Sequence, residues 1–217
     1  MSINKPETLV YLVDDEFSVR DSLSLVIEST GQAVKSFAST EAFLNNYDNK
    51  QPGCLLLDVR MPSMSGLELQ DELLKREISI PIIFISGHAG IPDSAKAFRS
   101  GAVDFLEKPF DTNILLERIE EAINKDIADR VESVERLLIK NRLDSLTLRE
   151  KEVLSMVVKG RPNKEIAKIM DISNRTVEAH RSRLMQKMQA ESLADLLVMT
   201  RYSEAFNSGL NKNSDLS

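Results

Sequence analysis

The chain has one cysteine, Cys54, in 217 residues, so no internal disulfide can form, and this usage fits a reducing compartment. Histidine is nearly as scarce. His88 and His180 are the two present, and neither has a second imidazole nearby in sequence with which to hold a metal. No apolar stretch approaches the roughly 20 residues that a membrane-spanning helix needs. The N-terminus, Met1-Ser2-Ile3-Asn4-Lys5-Pro6-Glu7, lacks the apolar centre of a signal peptide. These absences lead to the expectation of a cytoplasmic protein. Glycine and proline are missing from 125–143, and no strand-like run occurs in 144–203.

What is present is ordinary for a folded chain: 42% hydrophobic and 29% charged residues, at a length that suits one or two domains. The net charge of −6 is unevenly spread. Residues 144–203 hold 11 of the 28 Lys and Arg and 8 of the 34 Asp and Glu, a net of +3, which leaves −9 on the remainder. An acidic portion joined to a mildly basic one suggests that only the second meets a polyanion.

Apolar runs alternate with amphipathic patterns over 8–124. Strands are expected at 8–13, 33–37, 53–57, 81–86 and 103–106, and helices near 17–30, 39–48, 65–76 and 91–100. A fifth helix starts near Asp111, whose side chain can cap it. Such alternation signals βαβ units, hence an α/β, doubly wound, five-stranded parallel sheet in residues 1–124. The segment 125–143 reads as a helical linker. There Ile123, Ile127, Val131, Val134 and Leu138 recur at spacings of 4, 4, 3 and 4. The stripe serves either as a continued fifth helix packing on a neighbouring domain or as a short coiled-coil seam between two protomers; so few heptads give little stability alone. Residues 144–203 read as an all-α domain with helices near 147–159, 163–170, 174–188 and 192–203, and the Asn- and Ser-rich 204–217 as a disordered tail.

Four strands each end on a polar group: Asp14 and Asp15 after the first, Asp58 after the third, Ser86 after the fourth and Lys108 after the fifth. Open α/β sheets place their chemistry at such carboxyl ends. Asp58 in particular closes an apolar run, Cys54-Leu55-Leu56-Leu57, where an unpartnered charge is costly. If the first and third strands are adjacent, three carboxylates converge, and a cation must join them. Oxygen donors without His or Cys point to Mg²⁺. Metal, ammonium and hydroxyl together suit a phosphoryl group in transfer, with a carboxylate as nucleophile. The plainer alternatives are that Asp14 or Asp15 only caps the first helix, that Lys108 is a surface lysine, and that Phe105 is ordinary core.

At these residues the chain resembles the receiver domains of two-component response regulators. The acidic pair, the strand-ending Asp58, the strand-ending Ser86 and Lys108-Pro109 occur in the family's order over roughly 7–124. The resemblance implies that Asp58 accepts phosphate from a sensor histidine kinase. It also implies that Asp15, Asp58 and the backbone carbonyl of Arg60 ligate Mg²⁺, with Asp14 acting through water. Ser86 then grips the phosphoryl oxygen, Lys108 pairs with it, and Ser86 and Phe105 form the switch. Lys108-Pro109 matches the family's cis peptide. Arg60 and His88 flank the site, either tuning phosphate lifetime or merely facing solvent.

In the basic portion, Thr147 and Glu150 have capping-box spacing. Two helices then follow across the turn at Asp171-Ile172-Ser173-Asn174, and the second carries Arg175-Thr176-Val177-Glu178-Ala179-His180-Arg181-Ser182-Arg183. This is the pattern of a helix-turn-helix, with Val177, Leu184 and Met188 as its inward face. Here the chain resembles the LuxR/NarL-type DNA-binding domain, and as a whole the FixJ branch of response regulators; regulators of tetrathionate respiration are among the relatives it is similar to. The resemblance implies that Glu178, Ala179, Ser182, Arg181 and Arg183 face bases, while Lys164, Arg175, Thr176, His180 and Lys187 contact phosphates. Glu178 departs from relatives with Lys there and suits either cytosine N4 or a positioning role.

The expected function is a phosphorylation-controlled transcription regulator rather than an enzyme, dimeric when phosphorylated, with double-stranded promoter DNA and RNA polymerase as partners. The rival is a Mg²⁺-dependent phosphatase with an aspartyl-phosphate intermediate. Haloacid-dehalogenase-type phosphatases want a second Asp two residues after the nucleophile, where this chain has Arg60.

Overall fold

Period-2 alternation on the strands builds two different cores on one sheet. The computed structural model describes residues 7–87 and 91–201. Strands β1 (Leu9–Val13), β2 (Ala33–Phe37), β3 (Gly53–Asp58), β4 (Ile82–Ser86) and β5 (Asp104–Glu107) form a five-stranded sheet in the order β2-β1-β3-β4-β5. Every pairing is parallel. Successive side chains point to opposite faces. Tyr11, Val13, Leu55, Leu57 and Phe84 therefore pack one way and Val10, Leu12, Cys54, Leu56, Ile83 and Ile85 the other.

The first face is covered by α2 (Thr40–Asn46), α3 (Gly66–Lys75) and α4 (Ile91–Arg99), through Phe43, Leu67, Leu69, Leu73 and Ala97. The second is covered by α1 (Phe17–Glu28) and the start of α5 (Thr112–Asp144), through Ile27, Leu115, Ile119, Ala122 and Ile123. Helices on both faces force near-continuous apolar strands, as β3 and β4, buried throughout, show. Ser39 and Ser65 cap α2 and α3, Ser65 in a capping box with Glu68. The Asp111 carboxylate accepts the Asn113 amide at the head of α5, as its sequence position led us to expect. Between α3 and α4, the buried Gln70 donates from Nε2 to the Ala97 carbonyl at 3.1 Å, while its Oε1 has no partner among the described residues. Lys96 reaches Asp71 at 3.0 Å beside it.

Helix α5 carries three successive contact faces. After its sheet-facing turn, the buried Asp126 accepts the Gly53 amide at 2.8 Å and the Arg130 Nε at 2.7 Å, while Arg130 also donates to the Asn49 carbonyl at 2.5 Å. The approach is close: a Cβ on Gly53 would lie 1.9 Å from the Leu9 carbonyl oxygen. Burial lifts the Tyr47 hydroxyl to about 12, and burial with the Asp126 charge pushes the Cys54 thiol far up. Val131, Val134, Leu137 and Leu138 are exposed. Ile139 and Leu143 then turn into a separate core.

The chain divides into two compact units after Arg130. The second is built on the end of α5 with α6 (Leu148–Val158), α7 (Asn163–Met170), α8 (Asn174–Met188) and α9 (Leu193–Arg201). Ile139, Leu143, Val153, Leu154, Ile166, Val177, Leu184, Met188 and Leu196 form its core. Thr147 and Glu150 make the expected capping box, and Ser173 caps α8. Among the described residues no helix is long and apolar enough to cross a membrane. The expected tail at 204–217 lies outside the described residues.

Candidate functional site

The register of β1 on β3 sets Val13 beside Leu57, so the next residues on each strand, Asp14 and Asp58, leave the sheet side by side. Both are buried. Lys108, just beyond β5, reaches across and places Nζ 2.8 Å from Asp14 Oδ2 and 3.0 Å from Asp58 Oδ1. Its own amide donates to the Ser86 carbonyl at 2.7 Å, so the end of β4 fixes where the lysine begins. The other carboxylate oxygens are also held. Asp14 Oδ1 accepts the Glu16 amide at 2.8 Å, and Asp58 Oδ2 accepts the Arg60 amide at 2.7 Å. Asp14 does not cap α1, whose N-cap is Glu16 with no side-chain cap bond, contrary to the plainer role weighed above. The Lys108-Pro109 peptide is cis.

Burial raises the Asp58 pKa above the ordinary carboxylate value. The Lys108 ammonium and the Arg60 amide oppose that shift, and the Asp14 charge adds to it. For Lys108 burial acts downward, but the two carboxylates outweigh it and the net shift is upward. The result is a carboxylate kept from water with one oxygen on a movable cation, which is how a nucleophile is held ready.

The other expected members are placed as follows. Ser86 is buried at the end of β4, and Asp15 is exposed. Arg60 is exposed too, contributing its amide to Asp58. Phe105 is half-buried on β5, its ring centroid 6.0 Å from that of Phe84. His88 lies outside the described residues. Asp14, Asp58, Ser86 and Lys108 are therefore brought together, whereas Asp15 is not drawn in. Among the described residues no three metal-ligating side chains converge on one point. The donor set nonetheless suits a hard cation: two buried carboxylates already meet at one positive centre, with no nitrogen or sulfur ligand among them.

One residue escaped notice in the sequence. A Cβ on Gly66 would lie 2.2 Å from the Asp58 carbonyl oxygen and 3.0 Å from the Leu57 side chain, and its amide donates to Val59 at 3.0 Å. Its only outward sign was a glycine at the first helical position after Ser65.

The second unit presents α8. Val177, Leu184 and Met188 face inward, while Arg175, Glu178, Ala179, Ser182 and Arg183 are exposed, as is Lys164 on α7. Asn174 Nδ2 donates to Glu178 Oε1 at 3.4 Å. Arg181 is half-buried and ties α8 to α7 through Asn163 Oδ1 at 2.8 Å. Thr176 is engaged with the capping Ser173. His180 is half-buried, its Nδ1 shielded and unpartnered among the described residues. Lys187, expected on a phosphate, is committed inside the unit, 2.7 Å from the buried Glu150 and 3.2 Å from the Ser145 carbonyl. That ammonium, with the Thr147 amide, lowers the Glu150 pKa to about 2.

Residues 10–120 match the family model described as the response regulator receiver domain, and residues 144–200 match that of the bacterial regulatory proteins of the luxR family. The chain is 46% identical over 190 residues to the transcriptional regulatory protein FixJ of Rhizobium meliloti, covering 88% of this chain and 93% of that one. It is 42% identical over 198 residues to the response regulator protein TmoT of Ectopseudomonas mendocina, covering 91% and 90%. Among solved structures, the response regulator StyR superposes with a TM-score of 0.81 at 38% identity, over 91% of this chain and all (100%) of that one. Full-length FixJ from B. japonicum gives 0.56 at 37% identity, over 91% and 98%.

Proposed function

Because the chain belongs to the two-component response regulators of the FixJ/NarL family, with a receiver followed by a LuxR-type DNA-binding domain, we propose that Asp58 is its phosphoacceptor and the α8 face its DNA reader. The single observation that carries this reading is the Lys108 ammonium 3.0 Å from Asp58 Oδ1, at the carboxyl edge of the sheet. On this reading residues 1–124 are the receiver, 125–143 the linker and 144–203 the output domain. The donor is a sensor histidine kinase or a small acyl phosphate.

A carboxylate oxygen of Asp58 forms the O–P bond as the P–N bond to the donor imidazole breaks, the electron pair leaving with the ring nitrogen. The Lys108 ammonium then turns its hydrogen bond from the carboxylate to a phosphoryl oxygen, and the Ser86 hydroxyl donates to another. Asp58, the Arg60 carbonyl and Asp15 would hold Mg²⁺, with Asp14 assisting through water. What the ion supplies when bound is neutralisation of charge on the phosphoryl oxygens. Asp15 would have to come in from its exposed position to serve.

Loss of Lys108 from Asp14, and the pull on Ser86 and Phe105, would shift a two-state equilibrium toward a dimer that sets two α8 helices on promoter DNA, where RNA polymerase is the downstream partner. Glu178, Ala179, Ser182 and Arg183 are the base-facing candidates, with Arg181 steadying them, and Lys164, Arg175, Thr176 and His180 face phosphates. The protein would work in the cytoplasm.

The test compares wild type with Asp58→Ala, each with and without acetyl phosphate, by intact mass, light scattering and duplex DNA affinity. The reading requires an added phosphoryl mass, dimerisation and tighter DNA binding in wild type alone. Phosphorylation of the Asp58→Ala chain at wild-type level removes Asp58 from its role.

A further inference from the structure

Asp14 is held at four points, and one of them comes from a residue outside the carboxylate cluster. Its amide donates to the Phe37 carbonyl at 3.3 Å, its Oδ1 accepts the Glu16 amide at 2.8 Å, and its Oδ2 meets Lys108 Nζ at 2.8 Å. The fourth point is the main-chain carbonyl, which accepts Arg20 Nη1 at 2.7 Å. Arg20 sits in the first turn of α1, half-buried, its guanidinium 5.8 Å from the centroid of the exposed Phe17 ring. A guanidinium suits the two oxygens of a carboxylate, yet this one gives an N–H to a single backbone oxygen.

That bond fixes a whole peptide unit. The Cα of Asp15 lies in the plane of the Asp14–Asp15 peptide, so a carbonyl held toward α1 sets where that Cα sits. On the other side, the Asp15–Glu16 peptide is held by its own N–H, which closes an Asx-turn on the Asp14 carboxylate. Asp15 therefore stands between two pinned peptides, its side chain exposed and its backbone already placed. The Asx-turn depends on a carboxylate of the site itself. The Arg20 pin comes from α1 and can be withdrawn without altering any carboxylate.

We propose that Arg20 is the positioning residue of the metal-binding turn. By holding the Asp14 carbonyl it presets the backbone of Asp15, so that binding Mg²⁺ leaves only the Asp15 side chain to order. This rests on the proposed function, in which Asp15 and Asp58 receive the ion. Arg20 acts through the Asp14–Asp15 peptide and not on the reacting atoms.

Charge alone argues the opposite way, and this makes the role readable. A guanidinium near a divalent cation repels it, so removing Arg20 for its charge should tighten Mg²⁺ binding. Removing it as a pin should weaken binding, because the freed backbone of Asp15 must then be ordered when the ion arrives. A part in folding alone would move the melting temperature and leave Mg²⁺ affinity where it was. The three readings differ in sign or in the quantity they change.

Full-length wild type, Arg20→Gln and Arg20→Lys are compared by Mg²⁺ calorimetry, by thermal melts without the ion, and by phosphorylation with acetyl phosphate over a range of Mg²⁺ concentrations. Glutamine is a good helix former, so α1 tolerates the change. Arg20→Gln should bind Mg²⁺ about fivefold more weakly, the low end for one residue's backbone freedom because the Asx-turn remains. Its half-maximal phosphorylation rate should need about fivefold more Mg²⁺, and its rate at saturation should match wild type. Arg20→Lys keeps one donor for the one acceptor and should recover most of the affinity. Mg²⁺ bound by a folded Arg20→Gln chain as tightly as by wild type, or more tightly, overturns the positioning role and leaves the proposed function standing. An Arg20→Lys chain as weak as Arg20→Gln does the same. Wild type that takes up phosphate without binding Mg²⁺ removes the ion from the proposed function, and the role of Arg20 with it.

Discussion

The Lys108 ammonium rests 3.0 Å from Asp58 Oδ1, the oxygen of that carboxylate not taken by the Arg60 amide. On the proposed reading, a phosphoryl group arriving on Asp58 would meet a site whose hydrogen-bond donors are already assigned, and Lys108 would have to turn from carboxylate to phosphoryl oxygens as the bond forms. Because the same ammonium holds Asp14 at 2.8 Å, that turn would also release Asp14.

Lys108→Ala leaves two buried carboxylates facing each other without a cation. The receiver should lose about 3 kcal/mol at neutral pH, the low end for stripping one partner from a buried ion pair because Lys108 is itself partly exposed. Thermal melts with and without millimolar Mg²⁺ test this, and the ion should recover most of the loss. A variant that melts like wild type would mean that Asp14 and Asp58 do not depend on Lys108.

Gly66→Ala presses a methyl group on the Asp58 carbonyl, 2.2 Å from an ideal Cβ, and both neighbours are too well packed to yield. We expect a destabilisation of about 1–3 kcal/mol and slower phosphorylation by acetyl phosphate. Normal kinetics in a folded Gly66→Ala chain would show that the loop after β3 has slack that the structure does not suggest.

The pH dependence of the second unit should carry the signature of Glu150. Its folded pKa is depressed to about 2 from the ordinary 4.5, by Lys187 first and then by the Thr147 amide. A depressed carboxylate stabilises the fold above its unfolded value and loses that contribution as pH falls toward the folded one. Glu150→Gln should thus cost about 1 kcal/mol at neutral pH, modest because Lys187 is partly screened by solvent. The gap to wild type should close between pH 4.5 and about 2, read from the unfolding of the second unit. A gap that persists at the acid end would assign the loss to packing rather than charge.

Lys164→Ala and Arg175→Ala should weaken DNA binding alike across sequences and lower the salt slope by about 1 each. Lys187→Ala should leave the slope unchanged, since its ammonium serves Glu150 at 2.7 Å. Glu178→Ala should act differently, relaxing preference at one base pair by about 1–3 kcal/mol. Titrations at several salt concentrations separate these behaviours, and a slope change for Lys187→Ala would put that residue back on the phosphates.

The sheet, its helices and the helix-turn-helix were legible because period 2 and period 3.6 patterns report burial directly, and strand ends expose whatever must stay polar. Asp58, Ser86 and Lys108 stood out as polar punctuation after apolar runs. Gly66 did not, because its reason is a close approach by a carbonyl from another segment, which no spacing reveals. Lys187 read as a phosphate contact because its partner, Glu150, lies 37 residues away and already had a local explanation as a capping residue. Asp126 was hidden for the same reason: its partner is the Gly53 amide, 73 residues earlier, a contact created by tertiary packing alone.

The amide of Gln70 is a buried polar link between α3 and α4. A hydrogen bond from Gln70 to the Ala97 carbonyl, the ion pair of Lys96 with Asp71 and the apolar packing of Ala97 join α3 to α4. The oxygen of that amide is a buried acceptor with no partner among the described residues. A side chain from α3 thus reads the backbone of α4 directly, so a change of register between these two helices would be felt first at Gln70.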